Sequence, residues 1–230
     1  MALAIANVCK TYPNGVHALE GITLDVKPGE IVAIVGGSGC GKSTLLRAIS
    51  GLDTPSKGEV VLDSVRIVAP HEKIGIIFQE PRLLPWLTVA QNVGFGLEDR
   101  PCAERESRVA TALRRVGLSD KANVWPRELS GGQAQRVAIA RALAQQPLVL
   151  LADEPVASLD PEAAQDIMRL LLGLAHSEGL AAVCVLHQVD LAFAFADRVV
   201  GMRDGRVVFD RRRTELSRDA VQRLYLAEAA

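Results

Sequence analysis

A glycine-rich segment near the amino terminus has the residue types and the spacing of a phosphate-binding loop. Residues 36–43 read Gly-Gly-Ser-Gly-Cys-Gly-Lys-Ser, between an apolar run at 31–35 and a helical pattern at 44–50. Glycines let backbone N–H groups approach phosphate oxygens without a side-chain clash, and the N-terminus of a helix favours an anion. The pattern predicts a nucleoside triphosphate site formed by Gly36, Gly37, Ser38, Gly39, Cys40, Gly41, Lys42, Ser43 and Thr44.

An apolar run that ends in two acids supplies the carboxylates that such a site needs. Residues 148–152 read Leu-Val-Leu-Leu-Ala and are followed by Asp153 and Glu154. We expect Lys42 to contact the β- and γ-phosphates, and the Ser43 hydroxyl and Asp153 to hold Mg²⁺. Glu154 is placed to accept a proton from the attacking water. The two segments together predict hydrolysis of a nucleoside triphosphate.

The composition sets limits on the fold and on the partners. Of the 230 residues, 49% are hydrophobic and 23% are charged, so a large core can form. The net charge of −1 provides no bulk attraction for nucleic acid, and no nucleic-acid partner is predicted. The longest apolar stretches, 180–186 and 191–196, are far shorter than the roughly 20 residues of a membrane span. Four widely spaced cysteines without metal-site spacing are typical of free thiols in a reducing compartment: Cys9, Cys40, Cys102 and Cys184.

Strand and helix patterns alternate on both sides of a helical middle segment. The first thirty residues have the alternation of strands joined by turns, and later apolar runs are typical of strands buried on both faces. This order predicts an α/β fold with a parallel sheet and helices on both faces. Together with the phosphate loop, it resembles a P-loop NTPase (RecA-like) core with an N-terminal antiparallel β subdomain. We expect a single domain over 1–230, with the core and β subdomain at 1–81 and 146–230 and an inserted α-helical subdomain at 82–145.

A pentapeptide in the helical segment connects these elements to a known family. Residues 129–133 read Leu-Ser-Gly-Gly-Gln and resemble the signature of the ATP-binding cassette (ABC) ATPases. The order and spacing of seven elements agree with that family, and the resemblance covers essentially the whole chain. It implies ATP and Mg²⁺ as cofactors. It also implies that Ser130, Gly131, Gly132 and Gln133 contact the γ-phosphate bound by a second copy, so that a head-to-tail homodimer encloses two ATP molecules.

The resemblance assigns roles to four further residues. Tyr12 matches the aromatic residue that stacks on adenine, and Gln79 matches the glutamine that senses the γ-phosphate and the metal. Asp160 lies in the loop that reaches the dimer contact, and His187 matches the switch histidine near the γ-phosphate and the attacking water. The family's usual aspartate after that histidine is Gln188 in this chain.

A single cassette of this size resembles the separate ATPase subunit of a bacterial importer. That resemblance implies two transmembrane permease subunits, a periplasmic or lipid-anchored substrate-binding protein acting indirectly, and a peripheral location on the cytoplasmic face of the inner membrane. Apolar residues next to Gln79 favour a partly exposed groove that receives a short helix of the membrane subunit. These residues are Leu83, Leu84, Trp86 and Leu87.

The transported substrate is indicated only by local resemblance. Residues 78–86 are similar to the nitrate, sulfonate and taurine importer ATPases, whereas 151–161 and 186–191 are similar to the phosphonate importer ATPases. Phosphonate is favoured, with sulfonate, taurine or nitrate as the alternative. Two other classes of protein share parts of this pattern. A soluble ABC ATPase not tied to transport usually carries paired cassettes or a long coiled-coil insertion, and a P-loop GTPase or kinase would not need the signature.

Overall fold

Ten strands and six α-helices form within the part of the chain that the structure, a computed structural model, describes: residues 3–218 and residue 221. The strands are β1 (Leu3–Thr11), β2 (His17–Val26), β3 (Ile31–Val35), β4 (Lys57–Leu62), β5 (Val65–Arg66), β6 (Ile74–Ile77), β7 (Val149–Asp153), β8 (Ala181–Val185), β9 (Arg198–Arg203) and β10 (Arg206–Arg212). The helices are α1 (Lys42–Ile49), α2 (Val89–Val93), α3 (Cys102–Arg115), α4 (Gly131–Ala144), α5 (Pro161–Glu178) and α6 (Val189–Phe195).

A six-stranded sheet with the order β10-β9-β3-β8-β7-β6 forms the centre of the fold. The five strands β9, β3, β8, β7 and β6 pair in parallel, as the sequence predicts. The parallel strands end at one edge, which therefore collects the segments that follow β3, β6, β7 and β8. At one margin of the sheet, β10 pairs antiparallel with β9.

The central strand β3 separates two hydrophobic clusters. Ile31, Ala33 and Val35 pack in one cluster with α4, α5 and α6, whereas Val32 and Ile34 pack in the other with α1 and the first strands. All five side chains are buried, which is why this strand reads as a continuous apolar run. Helices on both faces were predicted, but one face is covered by α1 together with a second sheet.

That second sheet is the predicted N-terminal antiparallel unit, with the order β2-β1-β4-β5. Its β1–β2 hairpin packs against the phosphate loop at Gly41, where a Cβ atom would lie 2.4 Å from the carbonyl oxygen of Ala18. Gly41 also has φ of 102°, so both the close approach and the backbone angle require glycine. The hairpin and the start of α1 are therefore fixed relative to each other.

Helices α2, α3 and α4 occupy the chain between β6 and β7. Residues 78–88, in contrast to the helical periodicity predicted from about 82 onward, form an irregular segment before α2 begins. The side chain of Asn92, fully buried, donates to the carbonyl oxygens of Leu84 and Leu87 and folds this segment onto α2. None of the helices in the described ranges combines the length and the apolar character that a bilayer crossing requires.

Candidate active site

The phosphate loop connects the buried end of β3 to the first turn of α1. Gly41 is the N-cap residue of α1, and no side chain caps this helix end or places an acid in its first turn. The N–H groups of the first turn are therefore available to an anion. Gly36 lies so close to β9 that a Cβ atom would be 2.3 Å from the carbonyl oxygen of Met202. Ser38, Gly39 and Ser43 are exposed on the outer side of the loop, and Thr44 is half-buried.

Lys42 lies inside the loop rather than outside it. Its ammonium donates to the carbonyl oxygens of Gly36 at 2.8 Å and Gly37 at 2.6 Å, and it lies 3.7 Å from Sγ of Cys40. The residue is only 5% exposed. A cation buried among carbonyl oxygens stabilises the curved loop and supplies positive charge at its centre.

Ser43 and Asp153 meet across the sheet edge, as the sequence predicts. The Ser43 hydroxyl donates to Oδ1 of Asp153 at 3.2 Å. Burial raises the pKa of Asp153, the Ser43 hydrogen bond opposes that shift, and the neighbouring charge of Glu154 adds to it. Two oxygens separated by this distance suit adjacent ligands of Mg²⁺, because octahedral coordination at 2.0–2.1 Å separates them by about 3 Å. The donor set therefore fits the predicted metal.

Glu154 and His187 also meet at this edge. Asp153 pairs with Val185 in the parallel β7–β8 register, so the residues just beyond these strands emerge side by side. Nε2 of His187 lies 2.5 Å from Oε1 of Glu154. Glu154 has φ of 52°, a left-handed backbone angle that is costly for a residue with a side chain and is often found at functional sites.

Gln79 leaves the same edge two residues beyond β6. Ile77 pairs with Ala152 in the parallel β6–β7 register, so the chain after β6 emerges beside the acids that end β7. The Gln79 side chain is exposed. Six predicted residues therefore come together at one edge of the sheet: Lys42, Ser43, Gln79, Asp153, Glu154 and His187.

Tyr12 lies in a small polar cluster that sequence reasoning missed. Its hydroxyl donates to Oδ2 of Asp53 at 3.2 Å, and the Lys10 ammonium lies 5.2 Å from the centre of its ring. Lys10 also forms an ion pair with Asp53, and the hydrogen bond from Lys10 lowers the pKa of that carboxyl. Asp53 thus contacts Tyr12 at the hydroxyl, and Lys10 contacts it over the ring. No motif marks Lys10 or Asp53, which are 43 positions apart.

The signature residues form the N-terminus of α4. The Gln133 N–H donates to Oγ of Ser130 at 3.3 Å, and the Ser130 N–H donates to Oε1 of Gln133 at 3.0 Å, which is a capping box. Ser130 and Gly131 are exposed, and Gly132 is half-buried. Because Oγ of Ser130 accepts in the capping box, its own O–H proton remains available to donate to an anion.

Asp160 and Gln188 both occupy helix N-caps. The Asp160 carboxylate accepts from the N–H groups of Glu162 at 3.1 Å and Ala163 at 2.9 Å at the start of α5. Gln188 is the N-cap residue of α6 and makes no side-chain capping bond. The departure from the family's usual aspartate therefore leaves this short helix without a side-chain cap.

A large groove lies away from the phosphate loop, on the helical segment. It has a volume of about 800 Å³, and its walls include Leu87 from the irregular segment, Phe95 after α2 and Val109 on α3. Of the apolar residues predicted to form a groove, only Leu87 lines this one. Leu83 instead packs partly against the core, and Trp86 is 68% exposed.

Similarity to known proteins identifies the family. The profile described as ABC transporter matches residues 19–157, which is more than half of the chain. The chain belongs to the ATP-binding proteins of ABC transporters. This cassette is 46% identical to the phosphonates import ATP-binding protein of Thiobacillus denitrificans over 244 aligned residues, which cover 99% of this chain and 93% of that protein. The resemblance seen in the signature and the phosphate loop is confirmed.

Other relatives carry different substrate names at similar identity. The cassette is 46% identical to a methionine import ATP-binding protein of Caulobacter vibrioides, over 90% of this chain and 65% of that protein. It is 50% identical to an aliphatic sulfonates import ATP-binding protein of Xanthomonas axonopodis, over 80% of this chain and 74% of that protein.

A solved structure supports the same family. A dimeric ATP-binding cassette in a post-hydrolysis state, bound to ADP and phosphate, matches with a TM-score of 0.80 and 38% identity, covering 91% of this chain and 98% of that one. The predicted P-loop NTPase fold is confirmed. ATP-binding proteins of this family are ATPases, so this ABC cassette binds and hydrolyses ATP.

Proposed function

We propose that this ABC cassette is the ATP-hydrolysing subunit of an importer of a small oxyanion, with phosphonate as the substrate. The main support is the meeting of Ser43, Asp153, Glu154 and His187 at one sheet edge beside the phosphate loop. Hydroxyl, carboxylates and imidazole there have the chemistry that phosphoryl transfer to water requires.

Each group has its own role in hydrolysis. The loop N–H groups and Lys42 bind the triphosphate, and Tyr12 stacks on adenine. Mg²⁺, when bound by Ser43, Asp153 and Gln79, neutralises phosphate charge. Glu154 accepts the proton of the attacking water, and the hydrogen bond from His187 holds its carboxylate in position.

The second half of each ATP site comes from another copy of the chain. The exposed N-terminus of α4 has a free hydroxyl proton on Ser130 and helix N–H groups that favour an anion. It is separate from the phosphate loop, so the anion that it binds can be the ATP held by another copy. A head-to-tail homodimer would close two ATP molecules between loop and signature, with Asp160 near the contact. The dimeric relative bound to ADP and phosphate supports this arrangement.

The membrane subunits engage the helical segment, which we propose moves as a subdomain over 82–145. The groove of about 800 Å³ is lined by apolar residues that include Phe95, Val109 and Leu113 and by charged residues that include Glu98 and Arg105. Such a groove suits a short amphipathic helix. We infer two permease subunits, one at the groove of each copy, a substrate-binding protein acting through them, and a peripheral position on the cytoplasmic face of the inner membrane.

The choice of phosphonate rests on residues 151–161 and 186–191, and on a phosphonate relative that aligns with nearly the whole chain. The test is transport in vesicles that contain the cassette and the permease encoded beside it, with the corresponding binding protein. We expect ATP-dependent uptake of methylphosphonate at least tenfold above that of taurine or methionine. Preferential uptake of taurine or another sulfonate would contradict phosphonate and support the alternative.

The same vesicles test the proposal of transport itself. A cassette carrying Glu154→Gln should bind ATP and give no uptake, because only the proton acceptor is lost. If the parent cassette hydrolyses ATP at full rate but neither binds the permease nor supports uptake of any of these solutes, the chain is a soluble ABC ATPase of another kind.

A further inference from the structure

The segment that carries Gln79 is tied at both ends to the signature helix α4. Gln135 donates from Nε2 to the carbonyl oxygen of Phe78 at 3.1 Å, immediately before Gln79. Arg141 donates from Nη2 to the carbonyl oxygen of Pro81 at 2.8 Å and from Nη1 to that of Arg82 at 3.0 Å. Two side chains of one helix therefore hold the backbone on either side of Gln79.

The segment is also closed upon itself. The guanidinium of Arg82 lies over the ring of Phe78, 4.4 Å from its centre, in a cation–π contact. Residues 79–81 thus lie in a loop that is closed by the contact between Phe78 and Arg82. Arg82 has φ of 48°, a left-handed backbone angle that reverses the chain at this point. A closed loop with fixed ends moves as one unit.

Burial makes these tethers effective. Gln135 is 1% exposed, and Arg141 is half-buried, where burial lowers the pKa of its guanidinium. Water competes poorly for such hydrogen bonds, and leaving a buried donor without its acceptor is costly. Gln79 is also attached through the main chain to β6, but β6 has only four residues and lies at the margin of the sheet. We therefore expect the tethers to α4 to restrain Gln79 more than β6 does.

Helix α4 connects the tethers to the signature without interruption. It runs from Gly131 to Ala144, so Gln135 and Arg141 lie roughly one and three turns from the N-cap Ser130. A helix of this length, packed on α2 and α3, transmits displacement along its axis as a stiff element. Displacement of Gln79 by a γ-phosphate in its own site would therefore move the signature that faces the other site.

We propose that Gln135 and Arg141 are positioning residues that couple the γ-phosphate sensor Gln79 to the signature end of α4. This inference rests on the proposed function of Gln79 and of the ATP-bound dimer. ATP bound to one copy then orients the Ser130 end that the same copy offers to its partner. Neither residue belongs to the phosphate loop or to the other residues proposed to bind nucleotide, so loss of the tethers should leave binding to the isolated chain intact and weaken ATP-driven pairing.

The experiment compares matched variants in a chain that also carries Glu154→Gln, so that ATP is bound and not consumed. Gln135→Met removes the hydrogen bond to Phe78, and Arg141→Gln removes the pair of bonds to Pro81 and Arg82. The control is Gln145→Met, because Gln145 also donates from the end of α4 to a backbone carbonyl, that of Gly96 at 3.0 Å, but not to the Gln79 segment. Light scattering gives the ATP concentration at half-maximal dimer formation.

We expect that concentration to rise at least tenfold for Gln135→Met and for Arg141→Gln, and to stay within twofold of the parent for Gln145→Met. Arg141→Lys, which can still reach one carbonyl, should recover part of the loss. ADP affinity of the monomer, measured by fluorescence of a labelled nucleotide, should stay within twofold in every variant. A change of ADP affinity in parallel with the dimer midpoint would overturn the coupling role in favour of general damage to the fold.

Two further outcomes separate the inference from the function on which it rests. If the parent does not dimerise with ATP at all, the sandwich dimer is wrong. If the parent dimerises and the tether variants do so at the same ATP concentration as Gln145→Met, the coupling role is wrong and the dimer stands. Should Gln135→Met fail to fold, Arg141→Gln at its half-buried site decides the question alone.

Discussion

Nε2 of His187 lies 2.5 Å from Oε1 of Glu154, although the two residues are 33 positions apart in the sequence. Parallel pairing of β7 with β8 brings them together, since Asp153 is opposite Val185. The imidazole thus fixes one oxygen of the carboxylate and leaves the other for water. We interpret His187 as the residue that orients the proposed proton acceptor.

Removal of the imidazole tests this interpretation. His187→Ala should lower steady-state ATP hydrolysis about 10²-fold, the lower range for a well-positioned proton-transfer group, because the Glu154 carboxylate is then free to rotate. ATP affinity should change less than twofold, since Lys42 and the loop are untouched. Phosphate release and nucleotide titration measure the two quantities. Wild-type turnover in this variant would contradict the orienting role.

Asp153 is expected to reduce the stability of the nucleotide-free protein. Burial raises the pKa of its carboxyl, so folding disfavours the ionised form that this residue has at pH 7 in the unfolded chain. Asp153→Asn keeps an acceptor for Ser43 and removes this charge. It should raise the free energy of unfolding at pH 7 by about 0.5–2 kcal/mol while abolishing Mg²⁺-dependent hydrolysis.

The pH dependence of the free energy of unfolding provides a second test of this effect of Asp153. Because the folded-state pKa lies above the ordinary value of 3.8, the cost of ionisation applies above the folded-state pKa. The advantage of Asp153→Asn over the parent should therefore shrink as the pH is lowered towards that ordinary value. Chemical denaturation at a series of pH values measures the difference. An advantage that grows with acidity would contradict the assigned cause.

Two substitutions at Asp160 separate its role as the N-cap of α5 from its proposed role at the dimer contact. Its carboxylate accepts two N–H groups of α5, so Asp160→Ala should lower the free energy of unfolding by about 1 kcal/mol. Asp160→Asn preserves the cap and removes only the charge. If the charge acts at the dimer contact, both variants should weaken ATP-driven dimerisation, and only the alanine variant should lose thermal stability. Equal stability of the two variants would argue against the cap.

Much of the fold can be predicted from the local pattern of apolar and polar residues, and the elements that cannot be predicted have physical causes. Ile31–Val35 is apolar throughout because both of its faces are buried, and that run alone predicts a central strand. Strand β10 escaped prediction because it lies at the sheet margin and carries mainly exposed Arg and Asp side chains. Its pairing with β9 is decided by the neighbouring strand, which a single-sequence pattern does not contain.

The candidate site also contains both residues that the sequence predicts and contacts that it does not predict. Residues within one motif, such as Gly41, Lys42 and Ser43, are recognisable because loop and helix start are adjacent in sequence. The Asp53 contact with Tyr12 and the Gln135 contact with Phe78 join residues 41 and 57 positions apart. Such contacts depend on tertiary packing, and neither Asp53 nor Gln135 has a residue type that distinguishes it from an ordinary surface or core polar group.

The central claim is that each ATP site is shared between the phosphate loop of one copy and the signature of the other. Mixing two inactive variants tests it most directly. Lys42→Ala disables the loop, and Ser130→Arg fills the signature end of α4 with a bulky cation, so each variant alone should be inactive. In a mixed dimer one site contains both changes and the other contains neither.

An equal mixture of the two variants should therefore regain ATP hydrolysis, to about one quarter of the parent rate if sites act independently and chains pair at random. The control is a chain that carries both substitutions, mixed in equal amount with the parent. The mixed dimer then has no intact site, so only the parent homodimers, about one quarter of all dimers, should hydrolyse ATP. This is about half the activity that the parent chains in that mixture would show if sites were not shared. The decisive measurement is the ATPase rate of the mixture of Lys42→Ala and Ser130→Arg. Recovery is the predicted result, and a mixture as inactive as its separate components would contradict the shared site.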